Sequence, residues 1–161
     1  MVNSVMQEAE LEIIVETVAD AVAAEAGGAT QLDLKSDFVE GGLTATTGMA
    51  EAICSRVQID VILMIRPHAR SMSYSAEDIN VMCTNIRLAR ARGVQGFLLG
   101  ANTTNDLNGE LDLEAIHAFQ EAAGGIPLNA HMFWLATRER HKTLERLIEL
   151  GFRSVRTSGG G

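Results

Sequence analysis

Two basic side chains and an imidazole follow an apolar run in the stretch Asp60 to Ser75, DVILMIRPHARSMSYS, which carries Arg66-Pro67-His68 with Arg70 close behind. An arginine at such a place can clamp an anion, and a histidine can exchange a proton near neutral pH. A second imidazole, His131, closes the apolar stretch Ile126 to His131, IPLNAH. Carboxylates and an amine complete the set: Glu12 lies in LEIIV, and Asp33 and Lys35 lie in QLDLK. The chemistry these types allow is recognition of a small anionic or polar ligand, with His131 or His68 as the acid–base group. Soft-metal chemistry has other candidates. Cys54 and Cys83 could offer thiolates to Cu(I), and His68 with Met72, or His131 with Met132, could offer a nitrogen and a thioether. The competing reading for both cysteines is a small apolar residue packed on a helix face.

These residues need strands to bring them together. Asp60 to Arg66 is β-branched and apolar enough for a buried strand, and Pro67 ends it by lacking an N–H and holding Arg66 extended. Further strands are expected at 11–15, 31–35, 96–100, 126–131 and 152–157. Helices are expected between them at 16–26, 47–56, 75–92, 112–123 and 137–150, with glycine stops at Gly27-Gly28, Gly93, Gly124-Gly125 and Gly151. Ser75 and Asp78 form the ends of a capping box for the third helix. Glu40 to Thr44, EGGLT, is a tight turn and lacks the Lys-Ser/Thr of a phosphate loop. Strands alternating with helices predict a parallel sheet, with ligands at its carboxyl ends. Period-two alternation then sets Asp33 with Lys35, Met64 with Arg66 and Asn129 with His131 on shared faces. The expected fold is α/β, about six βα units on a parallel sheet that right-handed crossovers close toward an incomplete barrel or leave open. A full barrel takes about 200 residues or more; this chain, a single domain over 1–161, has 161.

Composition narrows the function classes. Hydrophobic residues make up 47% and aromatics 4%, so the core must be aliphatic. A net charge of −8 argues against nucleic acid as a partner. No apolar run is long enough to span a bilayer, and the acidic start MVNSVMQEAELEIIVE lacks the form of a signal peptide, so no membrane and a cytoplasmic location are expected. Two distant cysteines in a reducing compartment are expected to be free thiols.

Several stretches in order resemble the CutC family of copper-homeostasis proteins. They are EGGLT, MIRP at Met64 to Pro67, YS at Tyr74-Ser75, DIN–VM at Asp78 to Met82 and NIRLA at Asn85 to Ala89, then His131 and LGF–RV–TSG from Leu150 to Gly159. The resemblance implies a TIM-like barrel with a polar cluster at the strand ends and a link to copper tolerance. It makes Glu12, Asp33, Arg66 and His131 residues of a common interior, where the carboxylates are expected to face Arg66 and Lys35. Departures accompany it. The first strand carries Glu12-Ile13-Ile14 in place of the family's Glu-x-Cys, and the second carries Asp33-Leu34-Lys35 in place of Glu-Leu-Cys. Arg66-Pro67-His68 replaces Arg-Pro-Arg, and His131 is followed by Met132 and Leu135 without the family's Arg and Asp. The family's seventh and eighth strands have no counterpart here, so pairing of exposed sheet edges in a homo-oligomer is expected. Two functions follow: a copper-homeostasis protein binding Cu(I) weakly in the cytosol, or a barrel enzyme for a small polar or anionic substrate.

Overall fold

The computed structural model describes residues 9–106 and 108–159. The first eight residues of the acidic N-terminal stretch and the last two glycines lie outside the described residues. Six strands alternate with five helices: β1 (Glu12–Val15), α1 (Val18–Ala26), β2 (Gln31–Leu34), α2 (Thr47–Cys54), β3 (Asp60–Met64), α3 (Ala76–Arg90), β4 (Gly96–Leu99), α4 (Leu113–Ala123), β5 (Leu128–Ala130), α5 (Arg140–Glu149) and β6 (Ser154–Val155). Short 3-10 turns, Phe38–Glu40 and Met132–Ala136, follow β2 and β5. The sheet runs β1-β2-β3-β4-β5-β6, every neighbouring pair parallel. It is an incomplete β/α barrel, as the resemblance implies, and its parallel pairing is what the alternation of strand and helix predicts. The expected strand at 60–66 is shorter by two residues, because Pro67 has no N–H to extend the ladder.

Each strand presents two faces. Val61, Leu63, Ile65, Phe97 and Leu99 face outward into the main core, where they meet Met82, Ile86 and Phe119 of the helices. The opposite face holds a small apolar cluster, Ile62, Met64 and Leu98, inside the curl of the sheet. Gly96 makes room for it, because a Cβ there would run into the end of Ile62. Below this cluster lies Asn129, which donates to the Phe97 carbonyl at 3.2 Å and accepts from Ser154 at 2.8 Å. The interior is thus filled at its amino-terminal end and polar toward its carboxyl end.

α3 opens as its sequence requires. Ser75 Oγ accepts from the Asp78 amide at 3.1 Å, and the Asp78 carboxylate accepts from the Ser75 amide at 3.2 Å. Among the described residues no helix is long and apolar enough to cross a membrane.

Candidate functional site at the strand ends

The carboxyl ends of the strands enclose a cavity of about 540 Å³. Glu12, Asp33, Lys35, Arg66 and His131 all line it, brought there by inward alternation on β1, β2, β3 and β5. Arg156, one residue past β6, lines it too. The apolar walls are Ile14, Met64, Met72 and Leu98, and Phe38, Val39 and Met132 stand at its mouth.

The expected pairing of carboxylates is corrected in part. Asp33 does pair Lys35, Oδ2 to Nζ at 2.8 Å, with both side chains buried. Glu12 instead pairs Arg156, across from the first strand to the last. Arg66 pairs no carboxylate among the described residues. Its guanidinium donates to three carbonyls: Glu40 at 2.9 Å, Gly42 at 3.1 Å and Ala69 at 3.3 Å. The reason is the loop after β2. Asp37, Gly41 and Gly42 all adopt positive φ, and mutual hydrogen bonds between Ser36 and Leu43 (2.9 and 2.7 Å) close its neck. This geometry turns the loop's carbonyls onto Arg66. It also lays Gly42 against the Lys35 stem, where a Cβ could not fit.

Burial governs the titration of the site. It pushes the carboxyl groups of Glu12 and Asp33 upward, against the pull of Arg156 on the first and Lys35 on the second. His131 is driven down to about 3, by burial first and then by Arg66 and Lys35. It is therefore a neutral imidazole at pH 7. Its Nδ1 accepts from the Phe133 amide at 3.1 Å, capping the turn after β5. With Nδ1 an acceptor, the ring proton sits on Nε2. His131 thus offers the cavity a donor. A base, or a nitrogen ligand for a metal, would need the lone pair that the tautomer places on the other side. Nε2, together with Arg66 Nε and Asp33 Oδ1, is buried with no hydrogen-bond partner among the described residues.

The other candidates lie elsewhere. His68 does not line the cavity; it contacts Asp78 at 3.3 Å and leans on Tyr74. Pro67 breaks the alternation that would have turned His68 inward. Cys83 is buried in the core against the helices, and Cys54 is half-buried on α2. Burial raises both thiols above their ordinary range, which disfavours thiolate. Among the described residues no three His, Cys, Asp or Glu side chains gather as a metal site would require. Arg156 was the residue whose role the sequence concealed. The signal available was alternation in the expected strand 152–157, which sets Ser154 and Arg156 on one face; in the structure the Arg156 amide donates to the Ala130 carbonyl, beside His131.

Comparison with known proteins finds the same family along nearly the whole chain. The CutC family profile matches residues 9–161. The copper homeostasis protein cutC homolog of Homo sapiens is 36% identical over 149 residues, covering 92% of this chain and 54% of the human protein. The family protein CutC of Porphyromonas gingivalis is 35% identical, covering 93% of this chain and 59% of its own length. The chain therefore spans little more than half the length of these curated relatives. The solved structure of a copper homeostasis protein CutC from Streptococcus agalactiae superposes with a TM-score of 0.84 at 24% identity, over 95% of this chain and 74% of that one. At that identity the superposition speaks for the fold.

Proposed function

The chain belongs to the CutC family, and from that premise we propose that it serves copper homeostasis in the cytosol through the strand-end cavity, which takes a small anionic or polar molecule. One observation carries the reading. Three buried donors, His131 Nε2, Arg66 Nε and Arg156 Nε, have no partner among the described residues and belong to side chains that line one cavity. Buried donors without partners are costly, and a site built to bind a group lacking in the free protein accounts for them. The charge agrees: Lys35, Arg66 and Arg156 outnumber Glu12 and Asp33 by one. Calorimetric titration with acetate and with inorganic phosphate tests it, on the wild type and on His131→Asn, whose Oδ1 keeps an acceptor for Phe133 while the shorter side chain withdraws the donor from the Nε2 position. At least one anion is expected to bind wild type, about tenfold more weakly in the variant for one lost hydrogen bond to a charged group. Failure of both anions to bind would sink the reading.

A second reading has its own support. Met64, Met72 and Met132 line the same cavity, and thioethers suit Cu(I). Titration of the reduced protein with Cu(I) against a competing chelator should then give weak binding. It should be unchanged in a Cys54→Ser/Cys83→Ser double variant and reduced in Met64→Leu, a swap of similar volume. Stoichiometric binding abolished in the cysteine variant would place copper on the helices instead. Self-association through the edges of β1 and β6 belongs to the same proposal, and mass in solution reads it.

A further inference from the structure

We infer that the cavity's ligand is a small 2-hydroxy acid with a branched apolar body, its carboxylate on His131 and Arg66, its hydroxyl on Asp33, and its body against Phe38 and Val39. This rests on the anion-site reading above and narrows it.

The floor of the cavity is not simply cationic. Beside the three unpartnered donors of its lining, on His131, Arg66 and Arg156, there is an unpartnered acceptor, Asp33 Oδ1, whose other oxygen is held by Lys35; of these residues Asp33, His131 and Arg66 are the most deeply buried. All three residues are more than nine-tenths buried: Asp33 is 3% exposed, His131 5% and Arg66 7%. A ligand that satisfies these atoms needs two acceptor oxygens, whose lone pairs suffice for all three donors, with a donor beside them. A carboxylate with a hydroxyl on the neighbouring carbon has that form, and so has an α-amino acid. Charge separates the two. The lining carries one net positive charge, which a hydroxy-acid monoanion neutralises and a zwitterion leaves in place. Phosphate fits poorly for a different reason. Its oxygens point in every direction, and the walls around the floor are Ile14, Met64 and Leu98.

The mouth supplies the rest. Val39 is 94% exposed and Phe38 53%, both on the loop after β2. Large apolar side chains held in water at the rim of a cavity mark a contact surface for something apolar. They are not loose ornaments. The loop's neck is closed by backbone hydrogen bonds, and its carbonyls are fixed by Arg66, the same residue that offers Nε to the floor. Lys35 Nζ lies 5.9 Å from the centre of the Phe38 ring, so the loop also rests on the floor's ion pair. One arginine therefore sets the distance between the carboxylate end and the apolar end of a bound ligand.

The probes are 2-hydroxy-4-methylpentanoate, 4-methylpentanoate, leucine and inorganic phosphate, titrated calorimetrically into wild type, Val39→Ser and Asp33→Asn. The hydroxy acid is expected to bind most tightly. Loss of its hydroxyl should weaken binding by about tenfold or more, because Asp33 Oδ1 is left unpaired. Val39→Ser, exposed in the free protein, should leave the melting temperature unchanged. It should weaken the hydroxy acid by about fivefold to tenfold, the scale of a lost methyl contact or two, and leave phosphate unaffected. Asp33→Asn, whose amide can still pair nearby groups, should narrow the gap between the hydroxy acid and its deoxy analogue. Equal binding of hydroxy and deoxy acids, or a Val39→Ser variant no weaker than wild type, overturns the inference while the anion site stands. Leucine binding best would transfer the site to amino acids and also overturn it. Absence of binding by all four probes overturns both.

Discussion

Arg66→Met is expected to lower stability by about 3–5 kcal/mol, the cost of leaving several carbonyls without their charged donor in a largely dry site. For a chain of this size that is a fall in melting temperature of about 6–20 °C. The guanidinium is turned onto the loop after β2. It spans the carbonyls of Glu40, Gly42 and Ala69, and the backbone of Arg66 is itself clamped, its amide donating to Thr44 Oγ1 at 2.8 Å and its carbonyl accepting from the Thr44 amide at 3.0 Å. Methionine keeps the apolar stem and removes only the fork. Arg66→Lys should recover little of the loss, since one ammonium cannot reach three divergent carbonyls. Thermal and urea denaturation of the three proteins decide the matter. A melting point within a degree or two of wild type for Arg66→Met would mean that the loop after β2 holds itself, and that the guanidinium serves the cavity alone.

His131 should make the fold sensitive to mild acid. In the unfolded chain its imidazole takes up a proton near its ordinary value of 6.5; in the folded protein it resists to about 3. Above pH 6.5 both states are neutral there and nothing is lost. Below it the unfolded state binds a proton that the folded state refuses, so stability falls by about 1.4 kcal/mol per pH unit. Carried to pH 3, the loss is on the order of 5 kcal/mol, comparable to the entire stability of a marginal domain. Glu12 and Asp33 act in the opposite sense, because their raised values let the folded state gain protons before the unfolded one. Both carboxyl groups remain in His131→Asn, so comparison with that variant isolates the imidazole. Urea midpoints at pH 7.5, 6.0 and 5.0 should drift downward for wild type more steeply than for His131→Asn, whose side chain does not titrate. Parallel slopes for the two proteins would show that the imidazole charges freely in the fold and is not sealed in as described.

The elements were legible because their signals are local. The capping box Ser75–Asp78 and the glycine stops depend only on near neighbours, and the structure has them where the sequence puts them. The family resemblance gathered Glu12, Asp33, Arg66 and His131 in one interior, and alternation set Asp33 with Lys35 and Met64 with Arg66 on shared faces, which holds as long as a strand stays regular. It stopped holding at Pro67, and His68 turned away to Asp78. Asp33 meets Lys35 as expected, but the partners of Glu12 and Arg66 were not legible, since their pairing depends on how the chain returns. Only the positive φ of Gly41 and Gly42, hinted at by the doubled glycine, shows that Arg66 meets carbonyls and not carboxylates. Arg156 was hidden because its partner Glu12 lies 144 residues earlier, beyond any periodicity.

That same pair has a consequence for how the chain assembles. The sheet grows strictly in sequence order, so each strand can dock on the one just made, and every strand pairing closes a short stretch of chain. Such a ribbon can nucleate in its middle, where β3 and β4 are flanked on both sides. Glu12 and Arg156 are the clasp, a contact that forms only when the ribbon has already curled. It belongs to the late side of the folding barrier, so its loss should hasten unfolding and leave the folding rate alone. β6, two residues long and hydrogen-bonded along one side, is then the place from which the ribbon unrolls.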